Sequence, residues 1–218
     1  MIRDKTCGGF TLVELLVVLG VIAVLAALSL AVLLKTGASS DRSKAISNMR
    51  QIGAGIALFA ADNDGKLPGP LWPGQLAQFD PARSGRLVRE LAPYLGITTP
   101  TSPRVEPLFV PPAYRKAVTT SFLDSARTYV LNMSVREGSG IVIPWGNLAL
   151  PASTQPLKLA AIPGQAWGFS DADAIHPRVT GTSWVGNTPP KPIHTPRRLA
   201  WFFNGSVSPV EDADLALP

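Results

Sequence analysis

The sequence predicts an α+β protein: one long N-terminal helix packed on a small antiparallel sheet with long proline-rich loops. Three observations carry this expectation. All 21 prolines of the 218-residue chain lie at or after Pro68. Proline costs a helix interior about 3 kcal/mol, so only the part before Pro68 suits one continuous helix. Leu15–Leu34 is a run of twenty uncharged, mostly apolar residues, and Ile46, Met49, Ile52, Ile56 and Phe59 then recur at spacings of three and four. Beyond Pro68, short runs rich in β-branched and aromatic residues alternate with Gly- and Pro-rich segments, as in strands joined by loops.

The helix is expected from Phe10 to Asp62. Its first part, 10–34, has the length that covers a hydrocarbon core, about 20 residues for about 30 Å. Its second part, 35–65, is amphipathic, with Arg42, Lys44, Ser47, Arg50 and Gln51 on the polar faces. Gly37-Ala38-Ser39-Ser40 is a place to kink or loosen it, and Gly65 with Pro68 ends it. A globular domain fills 66–218. There a short helix is expected at Arg86–Leu91, and strands at Thr128–Val135, Gly140–Ile143, Ala166–Phe169 and Leu199–Phe203. Asn204-Gly205 is the strongest hairpin signal and suits a type I′ turn. Thr99–Pro112 and Gly186–Pro196 read as loops, and no internal repeat is visible.

Composition narrows the function classes. The net charge of +5 is mild and the basic residues are scattered, with Arg83, Arg86 and Arg89 on one stretch and Arg197-Arg198 on another. That is a solvated face rather than a stripe for nucleic acid, and no nucleic-acid partner is expected. The only cysteine, Cys7, precedes the apolar run, whereas a lipoprotein signal would place its apolar stretch first. No Gly-x-Ser-x-Gly elbow occurs and neither histidine has a catalytic motif around it, so no enzyme is expected. Trp72, Trp145, Trp167, Trp184 and Trp201 supply bulk to a small core, with a carbohydrate platform as the rival reading. Asp62-Asn63-Asp64-Gly65 is similar to the start of a calcium loop but lacks its closing glutamate, so it reads as a polar turn ending a helix. Asp171, Asp173 and His176, with His194 farther off, form the other ligand-like group; the plainer reading is a strand-end loop bonding its own backbone. Two histidines give no structural zinc site, and no cofactor is expected beyond a calcium ion at these oxygens.

Glu14 is a lone carboxylate at the head of the uncharged run. Three readings follow from the residues alone. It sits in the first turn, where an acid suits the helix dipole. The segment is a signal peptide, with Arg3 and Lys5 as its basic region and a small-residue site near Ala27-Leu28-Ser29. Or it is a span whose acid has no task. The contiguous residues Gly8-Gly9-Phe10-Thr11-Leu12-Val13-Glu14-Leu15-Leu16 resemble the cleavage and methylation segment of type IV prepilins and type II secretion pseudopilins. The resemblance implies that a prepilin peptidase cuts between Gly9 and Phe10 and methylates Phe10. It also implies that Glu14 serves assembly, pairing with the freed Phe10 amine of a neighbouring subunit in a core of low dielectric.

On this resemblance 1–9 is a leader peptide, 10–34 a transmembrane and filament-core helix, 35–65 its amphipathic continuation, and 66–218 a pilin-like globular domain. The implied partners are the prepilin peptidase, an inner-membrane assembly platform, the membrane, and like or unlike pilin-type subunits in a filament. The implied place is the inner membrane, with the globular domain in the periplasm, and an extracytoplasmic filament after assembly. Basic residues on both sides of the run, Arg3 and Lys5 before and Lys35, Arg42 and Lys44 after, do not themselves favour a cytoplasmic amino end. Ala31 stands where members that form pili often carry a proline, so the helix is expected unbroken to at least Thr36. Asn48–Gly53 and Phe59–Pro68 look like a bacterial branch with a His, nine residues and Asp-Gly signature; here His194 is followed by nine residues and Asn204-Gly205. The usual form ends Asp-Gly-His, and Ser206 replaces that histidine. Two other classes stay open: a minor pilin presenting a DNA- or glycan-binding tip, and an exported enzyme using the segment only as a signal, which would mature near Ser29.

Overall fold

The computed structural model describes residues 11–150 and 154–216, with the side chains of 29–36 and 120 outside the description. The chain divides into two compact units, the first ending at Ser40 and the second running from Asp41. The longest element, α1 (Leu12–Asp62), is helical without interruption over 51 residues. It passes Ala31 and Gly37–Ser40 unbroken, and the unit boundary falls at the stretch where the sequence predicts loosening.

In the first unit every side chain from Thr11 to Leu28 is exposed, including Leu12 at 78% and Leu28 at 64%. The expected span 10–34 is described only in part: Phe10 and the side chains of residues 29–34 lie outside the described set. Among the described residues no helix is long and apolar enough to cross a membrane. Leu12–Leu28 reaches about 26 Å at about 1.5 Å per residue, short of a hydrocarbon core of about 30 Å.

In the second unit α1 buries Ala45, Met49, Ile52, Ile56 and Ala60, while Ile46 and Phe59 are only half-buried. The predicted stripe is therefore buried at Met49, Ile52 and Ile56, and Ala45 and Ala60 take the buried places at its two ends. Each fully buried isoleucine contributes about 1.5–3 kcal/mol. Gly53 sets the closeness of the packing: a Cβ there would lie 2.1 Å from Trp201 Nε1, so only glycine lets the helix meet the sheet at Trp201. The helix ends as predicted, with the Gly65 N–H on the Ala60 carbonyl (2.8 Å) and Asn63 Nδ2 on the Phe59 carbonyl (2.8 Å). These bonds make Asp62–Gly65 a helix C-terminus.

The main sheet is antiparallel, in the order β1 (Gly74–Leu76), β4 (Arg127–Leu131), β7 (Trp167–Asp171), β8 (Arg198–Phe202), β9 (Val207–Val210). Two small pairs flank it: β2 (Gln78–Phe79) with β3 (Arg104–Val105), and β5 (Val135–Glu137) with β6 (Gly140–Val142). Helix α2 (Leu87–Leu91) stands where it is expected, with Arg86 at its N-cap. The expected strand Thr128–Val135 is two strands. Asn132 breaks it, donating to the Trp167 carbonyl (2.9 Å) and accepting the Ser134 N–H (3.2 Å). The loop Thr99–Pro112 holds β3, which gains its strand character only by pairing with β2.

The face of the sheet toward α1 carries an aromatic row. Tyr129 meets Phe169 edge-on (5.3 Å), Phe169 stacks on Trp201 (5.4 Å), and Trp201 meets Phe203 edge-on (5.5 Å). A register shift at Gly168 turns Trp167 to the other face, where it packs with Ala200, Val210 and Leu215. The Asn204-Gly205 hairpin forms with a different turn from the predicted type I′. Gly205 N–H bonds the Phe202 carbonyl (2.8 Å), Phe202 N–H bonds the Ser206 carbonyl (2.9 Å), and only Gly205 takes a positive φ, 85°. That is a three-residue loop with glycine in the left-handed position.

Candidate functional site

The head of the chain is the first site. Gly9 and Phe10 lie outside the described residues. Thr11 and Glu14 are described and close a reciprocal cap on α1. The Thr11 N–H (2.8 Å) and hydroxyl (2.8 Å) both donate to Glu14 Oε2, and the Glu14 N–H donates to Thr11 Oγ1 (3.2 Å). This is a capping box, which satisfies donors the helix start would otherwise leave open. Within one chain Glu14 thus has the helix-start role, and its carboxylate is fully exposed.

The second site surrounds His194. The spacing of His194 and Asn204-Gly205 measures a strand: the histidine precedes β8 and the turn follows it. Strand residues rise about 3.3 Å each, so these ends of the signature belong to opposite ends of β8 and do not form one centre. At the turn, Asn204 Oδ1 accepts both the Ser206 N–H (3.0 Å) and hydroxyl (2.7 Å). Ser206 therefore works as the partner that holds the turn. At the other end, His194 Nε2 lies 3.9 Å from Asp171 Oδ2, and both residues are buried. Asp171 faces α1 with Phe169, two residues before it, and is the register partner of Tyr129 across β4 and β7. Asp171 Oδ2 accepts the Leu199 N–H (3.1 Å), whereas Asp171 Oδ1, His194 Nε2 and the Tyr129 hydroxyl have no hydrogen-bond partner among the described residues.

Burial pushes the Asp171 carboxyl up to about 7; Asp173 adds to this, and the Leu199 N–H and Arg198 oppose it. Burial holds the His194 ring down to about 4, with Arg42 adding and Asp41 opposing. Between these values Asp171 and His194 are both neutral. Tyr129 is pushed well above its ordinary value by burial and by Asp171. The arrangement places a protonated carboxyl, a neutral imidazole and a phenol together in a buried space on the sheet.

The structure does not bring Asp171, Asp173 and His176 together. Both Asp173 oxygens receive the Arg198 guanidinium (Nη2 to Oδ1, 2.9 Å), and Asp212 takes its remaining side. His176 Nδ1 accepts the Arg178 N–H (2.9 Å), which leaves Nε2 as donor to Ser170 Oγ (2.9 Å). This Ser–His contact runs the wrong way for a nucleophile and its base, because the ring proton points at the hydroxyl. Neither ring nitrogen has a free lone pair, and among the described residues no three such side chains converge on a metal position.

Residues that sequence reasoning missed are Tyr129, which bears no motif, and the arginines that the fold gathers around one cavity. Of the five tryptophans, Trp145, Trp167 and Trp201 are core, Trp184 is partly buried, and Trp72 is 43% exposed. Comparison with known families matches residues 4–30 to the prokaryotic N-terminal methylation motif, a stretch that contains Gly9, Phe10 and Glu14. No curated protein and no solved structure matches the chain. That motif, which runs into the capped apolar start of α1, supports a type IV pilin-like, exported protein.

Proposed function

We propose that the chain is a structural subunit, a pilin or pseudopilin, of a type IV pilus or type II secretion filament. A prepilin peptidase cuts it after Gly9 and methylates Phe10. It waits in the inner membrane with its globular domain in the periplasm, and an assembly platform then passes it into a filament of like or unlike subunits. One observation carries this reading: α1 leaves an apolar surface exposed on all sides from Leu12 to Leu28, within the residues that match the methylation motif. A helix apolar all round needs a covering, and lipid followed by neighbouring helices supplies one. No catalytic role is assigned, and neither a metal nor nucleic acid enters the reading.

Mass spectrometry of the amino terminus tests it. The mature chain should begin with N-methylated Phe10, and Gly9→Val should accumulate as uncut precursor. A mature start near Ser29 or Leu30, or normal maturation of Gly9→Val, would mean that the segment serves only as an export signal.

A further inference from the structure

A cavity of about 690 Å³ in the second unit carries Arg83, Arg86, Arg127 and Trp72 on its wall. Small-molecule sites run from about 300 to 1,000 Å³. Arg83 is exposed and already paired with Asp80 (3.2 Å). Arg86 is 4% exposed, and its hydrogen bonds go from one terminal nitrogen to the Gln78 carbonyl (3.1 Å) and side-chain oxygen (3.3 Å). Arg127 donates to the Gly74 carbonyl (2.9 Å), lies 4.9 Å from the Trp184 ring centroid, and keeps a buried Nε with no acceptor. Among the described residues neither Arg86 nor Arg127 bonds a carboxylate. Burial holds both guanidinium groups below their usual range; Asp80 opposes this at Arg86 and Arg83 adds to it, and the charge of Arg86 lowers Arg127 further. Two such cations side by side are costly until an anion joins them.

The charges around the cavity specify the anion. The wall has three cations and one acid, Asp124, and Asp80 behind it balances Arg83. One positive charge is left, which suits a single carboxylate better than a dianionic phosphate. The planar guanidinium fork also fits a carboxylate in two-point contact. Trp72, on the same wall, offers the flat apolar surface on which sugar rings lie. We propose that this cavity binds an acidic saccharide unit of the uronic acid class, its carboxylate toward Arg86 and Arg127 and its ring against Trp72. The proposal stands apart from filament assembly and holds for an exported protein of any architecture.

The full-length chain, in a zwitterionic detergent free of sugar headgroups, is titrated by calorimetry with galacturonate, galactose and inorganic phosphate. Galacturonate should bind saturably and galactose should not. Arg127→Gln should weaken galacturonate about tenfold or more. That variant also loses the Gly74 and Trp184 contacts, so Asp124→Asn gives an independent reading: its side chain is exposed, makes no hydrogen bond among the described residues, and its neutralisation should tighten galacturonate several-fold. Trp72→Ala should weaken galacturonate with no loss of folded structure. Absence of saturable binding, an equal response to galactose, or no effect of Asp124→Asn would overturn the site. Tighter binding of inorganic phosphate than of galacturonate would overturn the carboxylate assignment.

Discussion

At Glu14 the capping oxygen and the negative charge are separable properties. The Thr11–Glu14 cap accepts glutamine as readily as glutamate at its fourth position, because both present an oxygen to the Thr11 N–H. Glu14→Gln therefore keeps the helix start and removes only the charge. If the carboxylate pairs with the Phe10 amine of a neighbour, Glu14→Gln should be exported, cut and folded normally yet lose assembly. Cross-linked oligomers compared at equal levels of processed subunit read this, and undiminished assembly would leave Glu14 as a cap alone. Asp171 at the seam and the two histidines, His194 beside it and His176 on the Ser170 side of β7, titrate in opposite senses. The Asp171 carboxyl is raised, so its contribution to stability is full below about 3.9 and is lost as pH rises toward about 7. His194 and His176 are lowered, to about 4 and about 3, so theirs is full above about 6.5 and is lost as pH falls. Between about pH 4.5 and 6 the folded chain binds one proton at Asp171 that the unfolded chain lacks. Asp171→Asn removes it, and the slope of unfolding free energy against pH should rise by about 1.4 kcal/mol per pH unit. Above about pH 7 the same variant should be more stable than the parent. Urea unfolding across this range measures both effects, and an unchanged slope would show that Asp171 is ionised in the fold.

At the scale of elements, the seam between α1 and the sheet depends on one missing methyl group. Gly53→Ala would drive a Cβ into Trp201, which is locked between Phe169 and Phe203 and has little room to turn. The expected cost is about 1–3 kcal/mol, with a changed near-ultraviolet dichroism from Trp201. A melting point equal to the parent's would mean that the helix shifts freely on the sheet. The sequence announces α1 through its periodicity and missing prolines, and β7, β8 and the hairpin through alternating aromatics and Asn-Gly. It does not announce β1, β2 or β3. These are two or three residues long, and their pairing with partner strands defines them more than their own propensity. The turn type escaped for a similar reason: Asn-Gly serves several loops, and the pairing of Phe202 with Ser206 selects among them.

For the whole molecule, legibility follows sequence distance. The methylation motif is contiguous, so its residues can be read in line. The Tyr129–Asp171–His194 cluster and the arginine cavity draw on strands and loops brought together only by the order β1-β4-β7-β8-β9. Arg83, Arg86 and Arg127 look like scattered surface charge until the pairing of β1 with β4 carries Arg127 to the segment around Gly74. The division of the chain at Ser40 and Asp41 runs the same way: local composition dominates before it, and tertiary packing after it.

The hairpin between β8 and β9 also bears on how the protein ages. Asn-Gly is the dipeptide whose asparagine loses its amide fastest, because the unhindered glycine nitrogen attacks the side-chain carbonyl, and asparagine is among the heat-labile residues. Here the Gly205 nitrogen is committed to the Phe202 carbonyl, while the Asn204 oxygen is held by Ser206. The folded turn keeps attacker and target occupied, whereas an unfolded chain frees both. The attack expels ammonia and closes a succinimide, which water opens to aspartate or isoaspartate, so each excursion out of the fold moves position 204 toward a carboxylate, and Asn204 becomes a chemical clock of time spent unfolded.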